Sequence, residues 1–102
     1  MNALKLRANA HEIGYALDEK NHFLANSRRN KRLGQWAGEV LGKPDVDAYA
    51  DAVVLSGLER QNGEFAHIRR DFDSAGVVVT DEDIHSRMSN MLRDVLLEMR
   101  NV

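Results

Sequence analysis

The chain has 102 residues, 43% of them hydrophobic and 29% charged, with no cysteine and a single proline. That is one domain of ordinary soluble composition, and it excludes a disulfide scaffold, a thiolate metal site and a cysteine nucleophile. No apolar run approaches the ~18–20 residues of a membrane span, the first residues lack the apolar core of a secretory signal, and a cysteine-free chain suits a reducing compartment, so a cytoplasmic location is expected. The net charge of −2 divides unevenly, with −1 over residues 1–19, +5 over 20–43 and −6 over 44–102. A basic middle before an acidic C-terminal half predicts either internal pairing between the two or an anionic or protein partner for the basic segment.

Residues 1–18 carry only scattered apolar side chains, among them Leu4, Leu6, Ile13 and Leu17. Gly14 costs a helix there ~1 kcal/mol relative to alanine. The segment reads as a helical but loosely held extension. From residue 19 the helical pattern strengthens downstream: Leu33, Trp36, Ala37, Val40 and Leu41 recur at helical spacing. The stripe Leu33/Trp36/Val40 places Trp36 in the interior. Gly34 and Gly38 form a small-residue ridge for a neighbouring helix. The run Gly42-Lys43-Pro44 ends this helix, and Asp45 or Asp47 favours the start of the next. There Tyr49, Ala52, Val53 and Leu58, with Val54 beside them, give an apolar stripe through Glu59.

Asn62-Gly63 reads as a break, with Asn62 a candidate cap. Phe65, Ile68 and Phe72 then mark a short helix ending near Ala75-Gly76. Val77, Val78 and Val79 are too few for a sheet and predict an extended linker whose alternate valines enter the core. Thr80 is a good N-cap, with acidic Asp81, Glu82 and Asp83 at the positive end of the helix dipole. Ile84, Met88, Met91, Val95 and Met99, widened by Leu92 and Leu96, make one apolar face, so the spacing predicts a helix over 81–100. The fold class is all-α: a small four-helix bundle over residues 19–102, led by a long, partly mobile N-terminal helix with residues 1–18 as an extension.

Chemistry-bearing motifs are sparse. His11, His22, His67 and His85 have no metal-ligand spacing and read as exposed helix histidines. No glycine-rich phosphate loop is present, no carboxylate pair is singled out by an apolar setting, and none of the serines sits in a nucleophile elbow. No catalytic residue and no metal ligand is expected. The sharpest local feature is Arg28-Arg29-Asn30-Lys31-Arg32. On a helix Arg28 and Arg32 share a face, and such a cluster can hold phosphate, meet nucleic acid, or pair with carboxylates of the later helices.

The run from Asn26 to Gly42 resembles the zeta subunit family, small inhibitor subunits of the alphaproteobacterial F-type ATP synthase. The family pattern A-R-R-N-x-x-L-G-x-W-A-A-x-x-L-G is matched at Arg28, Arg29, Asn30, Leu33, Gly34, Trp36, Ala37, Leu41 and Gly42. Upstream, Tyr15, Ala16, Asp18, Glu19 and Phe23 match the family's F-A-x-D-E-x-x-x-F; downstream, Ala48-Tyr49-Ala50 and Val53-Val54 match A-Y-A-x-x-V-V. The resemblance implies a bundle whose N-terminal segment inserts into the catalytic head of the ATP synthase and blocks hydrolysis, with ADP or ATP as a ligand of the bundle and no required cofactor. It implies partner contacts at Arg7, Glu12, Ile13, Tyr15, Leu17, Asp18 and Glu19, and a nucleotide site at Arg28, Arg29, Arg32 and Trp36. In the tip motif Arg7 and Glu12 match, whereas Leu6, Ala8, His11, Gly14 and Leu17 depart from the family pattern. Two alternatives accompany this reading: a diverged nucleotide-binding bundle that does not inhibit, and a nucleic-acid-binding helical domain.

Overall fold

A computed structural model of the chain describes residues 19–100. The expectations for residues 1–18, including the leading helix, fall outside them. Four helices follow in order: α1 (Glu19–Leu41), α2 (Val46–Glu59), α3 (Gly63–Ala75) and α4 (Asp81–Arg100). Their ends are set by the expected local chemistry. Gly42 takes a left-handed φ of 71° just past α1, a conformation that glycine adopts without a Cβ penalty. The Asp45 carboxylate caps α2 by accepting from the Ala48 N–H at 3.0 Å. The Thr80 hydroxyl caps α4 by accepting from the Asp83 N–H, also at 3.0 Å. Asn62 precedes α3 as expected, but it acts through its left-handed backbone (φ 61°) and makes no side-chain cap bond. Asparagine tolerates that region better than most residues.

The helix α1 packs against all three others. Its ridge of Gly34 and Gly38 lets α2 approach so closely that a Cβ on Gly34 would lie 2.6 Å from the Ala50 Cα. The main core draws two buried side chains from each helix: Leu33 and Ala37, Tyr49 and Val53, Ile68 and Phe72, Ile84 and Met88. Val77 and Val79 pack against it while Val78 between them is 95% exposed, the alternation expected of an extended linker. Arg69 pins that linker: its Nη1 donates to the Val79 carbonyl at 2.7 Å and to Asp81 at 2.9 Å. A second, smaller cluster of Ala25, Val95 and Met99, flanked by Leu24, Leu92 and Leu96, is built from α1 and α4 alone.

Three expectations about packing need correction. Trp36 is only partly buried: its edge meets Phe72, with ring centroids 5.4 Å apart, and the Arg87 guanidinium lies 4.5 Å over its face. Val40 and Leu58 are exposed. Val40 sits in the last turn of α1, turned away from the core that its neighbour Leu41 packs against. The close α1–α2 approach fixes Ala50 and Val53 inward and leaves Leu58 exposed.

Candidate functional site

The basic run of α1 is divided among the other three helices. Lys31 pairs with Asp51 of α2 at 2.6 Å, Arg29 with Glu64 of α3 at 3.6 Å, and Arg32 with Glu98 of α4. The two exposed pairs shift in the direction expected of close partners. The hydrogen bond to Asp51 holds the Lys31 ammonium above its ordinary range, and the bond to Arg32 holds the Glu98 carboxyl below its own. Arg28 is exposed on the Arg32 face, and its charge also acts on Glu98. Internal pairing, one of the expected outcomes for the charge asymmetry, therefore takes up most of this cluster.

The Arg29 contact lies inside the fold. Glu64 and Asn30 are both 6% exposed, and the Arg29 Nε donates to the Asn30 Oδ1 at 2.7 Å. Burial pulls the guanidinium pKa down, and Glu64 partly offsets this; the side chain still carries its charge. Gly57 of α2 completes the arrangement, because a Cβ there would lie 2.7 Å from the Asn30 Nδ2 and 2.9 Å from the Glu64 Oε1. Buried polar groups are costly unless partnered, and here each helix of the trio contributes a part. Of the expected nucleotide residues, Arg29 is thus a polar strut between helices, Arg32 holds a carboxylate, Trp36 is covered by Arg87, and Arg28 is the most open. An anion at this set would have to displace carboxylates already in place. Of the expected partner residues, Glu19 opens α1 and is exposed; Arg7, Glu12, Ile13, Tyr15, Leu17 and Asp18 lie outside the described residues.

A second polar array joins α2 to α3. The Ser56 Oγ and His67 Nδ1 are 2.7 Å apart, the His67 Nε2 faces the Asp71 carboxylate at 3.2 Å, and the Tyr49 hydroxyl donates to the same Asp71 oxygen at 2.7 Å. The Tyr49 ring also meets the imidazole edge to face. Burial, then the Asp71 bond, push the Tyr49 phenol up; burial pulls the His67 imidazole below its ordinary value despite Asp71. That direction favours the neutral imidazole at pH 7, and in the tautomer with its proton on Nε2, the nitrogen nearer Asp71, Nδ1 accepts from Ser56. This corrects the expectation that the histidines are simply exposed. His85 is exposed but stacks on Phe65, with centroids 4.5 Å apart. The i, i+4 spacing of His67 and Asp71 was visible in the sequence; the Ser56 partner, on another helix, was not. Buried Glu64 likewise escaped the sequence reading, although its place one turn before Ile68 was a signal. Among the described residues no group of three His, Asp or Glu is arranged to hold a metal ion, and no helix is long and apolar enough to cross a membrane.

The described residues thus form a small all-α bundle whose helices are interlocked by glycine contacts and a buried ion pair. The profile of the ATPase inhibitor subunit zeta family matches residues 1–96. The match spans nearly the whole chain, and the protein belongs to that family, as the Arg28–Gly42 run implied. No curated protein matches the chain.

Proposed function

We propose that the protein is a regulatory subunit that binds the catalytic head of an ATP synthase and restrains ATP hydrolysis. In this reading residues 1–18 enter the head, and the bundle holds them in place from outside. The observation that carries the reading is the extent of the family match, which spans residues 1–96 and so takes in both the leading residues and the bundle. Both described core clusters draw their residues from Leu24 to Met99. An amphipathic segment inserted in a groove is an ordinary mode of protein recognition.

The test is ATP hydrolysis by isolated synthase head with the full chain and with a chain lacking residues 1–18. The full chain should reduce turnover in a saturable manner, and the shortened chain should remain helical by circular dichroism and fail to inhibit. Unchanged hydrolysis at saturating full-length protein would overturn the reading.

A further inference from the structure

The concavity between α2 and α3 has no place in the reading above. It encloses about 290 Å³ and is lined by Ser56, Glu59, Arg60, Gly63, Ala66, His67 and Arg70. Among the described residues no carboxylate lies within ion-pair distance of Arg60, whereas the Arg70 Nε donates to the Asp71 Oδ1 at 3.4 Å. Two guanidinium groups thus border one hollow, one of them with no carboxylate within ion-pair distance among the described residues. Glu59 and Asp71 together offset both, so the rim and its nearest carboxylates carry no net charge while His67 is neutral. A hydroxyl and an imidazole lie between the arginines.

We infer that this concavity is an oxyanion site, for inorganic phosphate or sulfate or the phosphoryl end of a larger molecule, whose occupancy is coupled to protonation of His67. Guanidinium groups present forked donors that suit tetrahedral oxyanions. The coupling follows from the hydrogen-bond direction. With His67 neutral, the Ser56 hydroxyl donates its proton to Nδ1 and cannot give it to a ligand. When Nδ1 gains a proton the direction reverses: the imidazolium donates to the Ser56 Oγ, and the freed hydroxyl proton turns to the anion. The rim then carries one further positive charge, and the Nε2–H still faces Asp71. Each event favours the other, as linkage requires.

Groups from both helices and the adjoining turns set this balance. From α2 and the turn before it, Tyr49, Ser56, Glu59 and Lys43 face the imidazole or its rim, and Arg60 lies just past α2. From α3 come Asp71 and Arg70, with Glu64 one turn earlier, held by Arg29 of α1. Asp71 favours the imidazolium; burial, Arg70 and Lys43 oppose it. An anion between the arginines offsets that opposition.

The site does not depend on whether the chain inhibits an ATPase, and its test uses the full chain alone. Sulfate is the first probe, because its charge is constant between pH 5 and 8; inorganic phosphate and ADP are the second and third. Binding is followed by NMR, reading the ring protons of His67 and the backbone amides. Saturable shifts should centre on Ser56, Arg60, His67 and Arg70. His67 should titrate at higher pH with sulfate present, and sulfate affinity should rise as pH falls. The double variant Arg60→Ala/Arg70→Ala, which removes only surface side chains, should weaken binding by about tenfold or more, the loss of at least one charge-assisted contact. His67→Gln should retain weaker binding without the pH dependence. An ADP affinity well above that of phosphate would mean that the phosphoryl group arrives on a nucleotide; equal affinities would mean that the anion alone is read. Absence of saturable binding of all three probes, shifts centred on Arg28 and Arg32 instead, or undiminished binding by the double variant would overturn the inference.

Discussion

Replacing Gly34 by alanine sets two physical effects against each other. Alanine is favoured over glycine in a helix interior by ~1 kcal/mol, and Gly34 lies in the middle of α1, so local propensity alone predicts a more stable protein. The packing predicts the reverse. The added Cβ would lie 2.6 Å from the Ala50 Cα and 3.1 Å from the Cβ atoms of Ala50 and Val53, against an optimum of roughly 3.5–4.0 Å between non-bonded carbons. The closest atom is backbone, so no rotamer change relieves the contact, and α1 and α2 must separate by about 1 Å at the level where Leu33, Ala37 and Val53 meet. Overpacking costs typically ~1–3 kcal/mol; a backbone obstacle at the core places this site at the upper end. The net expected loss is about 2 kcal/mol once the propensity gain is subtracted. At ~4–8 °C per kcal/mol for a domain of this size, the melting temperature should fall by roughly 8–16 °C. Thermal melting followed by far-ultraviolet circular dichroism reads this directly. Gly38→Ala is the internal control, because its nearest contacts are side chains of Tyr49 at 3.3 Å and Val46 at 3.4 Å; it should melt within a few degrees of the parent. A Gly34→Ala protein that melts at or above the parent would show that helix propensity governs and that the two helices are not held in close contact there.

Trp36→Ala removes an edge contact with Phe72 and the surface on which Arg87 lies, but from a side chain only partly buried. It should cost about 2–3 kcal/mol, below the range for a fully buried tryptophan, read by chemical denaturation. Glu64→Ala leaves Arg29 and Asn30 in the interior without their carboxylate and should destabilise by about 3 kcal/mol; if the midpoint of denaturation does not move, the strut is not structural. His67 gives a pH signature: its folded pKa is below the unfolded value, so the unfolded chain binds the proton first, and stability should decline as pH falls from about 6.5 toward the folded pKa. His67→Gln should flatten this decline.

Much of the fold was legible in the sequence because its signals are local. Gly42-Lys43-Pro44, Thr80 with its acidic triplet, and Ala75-Gly76 each fix a helix end through chemistry within a few residues, and the ends fall there. Alternation at Val77–Val79 likewise needed no tertiary knowledge. The interior of α1 was harder to read. Between Phe23 and Leu33 the apolar pattern thins, and what holds that stretch is a small residue, Ala25, against α4, together with Asn30 and Arg29 as buried polar contacts. Hydrophobic periodicity cannot register these. Trp36 shows the opposite failure: its position on the stripe was right, but a helix face has edges, and a large ring at the edge is half covered. The candidate site was the least legible part. The basic run was conspicuous, yet whether a cation is paired depends on which carboxylates the other helices bring to it. The Ser56–His67–Asp71–Tyr49 array required the α2–α3 register, which no single segment encodes.

The small cluster shared by α1 and α4 gives the bundle two tiers of cohesion. The main core ties four helices at once, so exposing it means opening the whole domain. The Ala25, Val95 and Met99 cluster ties only two, and its release exposes little surface, so it belongs to the part of the molecule that opens at low free energy. This is also the end from which residues 1–18 depart. Backbone in α1 advances 1.5 Å per residue, and the same backbone extended spans up to roughly 3.3–3.6 Å. Unwinding Glu19 to Leu24 would therefore lengthen the connection by about 10 Å without disturbing the four-helix core. The backbone amides of the first turns of α1 should exchange with solvent faster than those near Leu33 and Ala37.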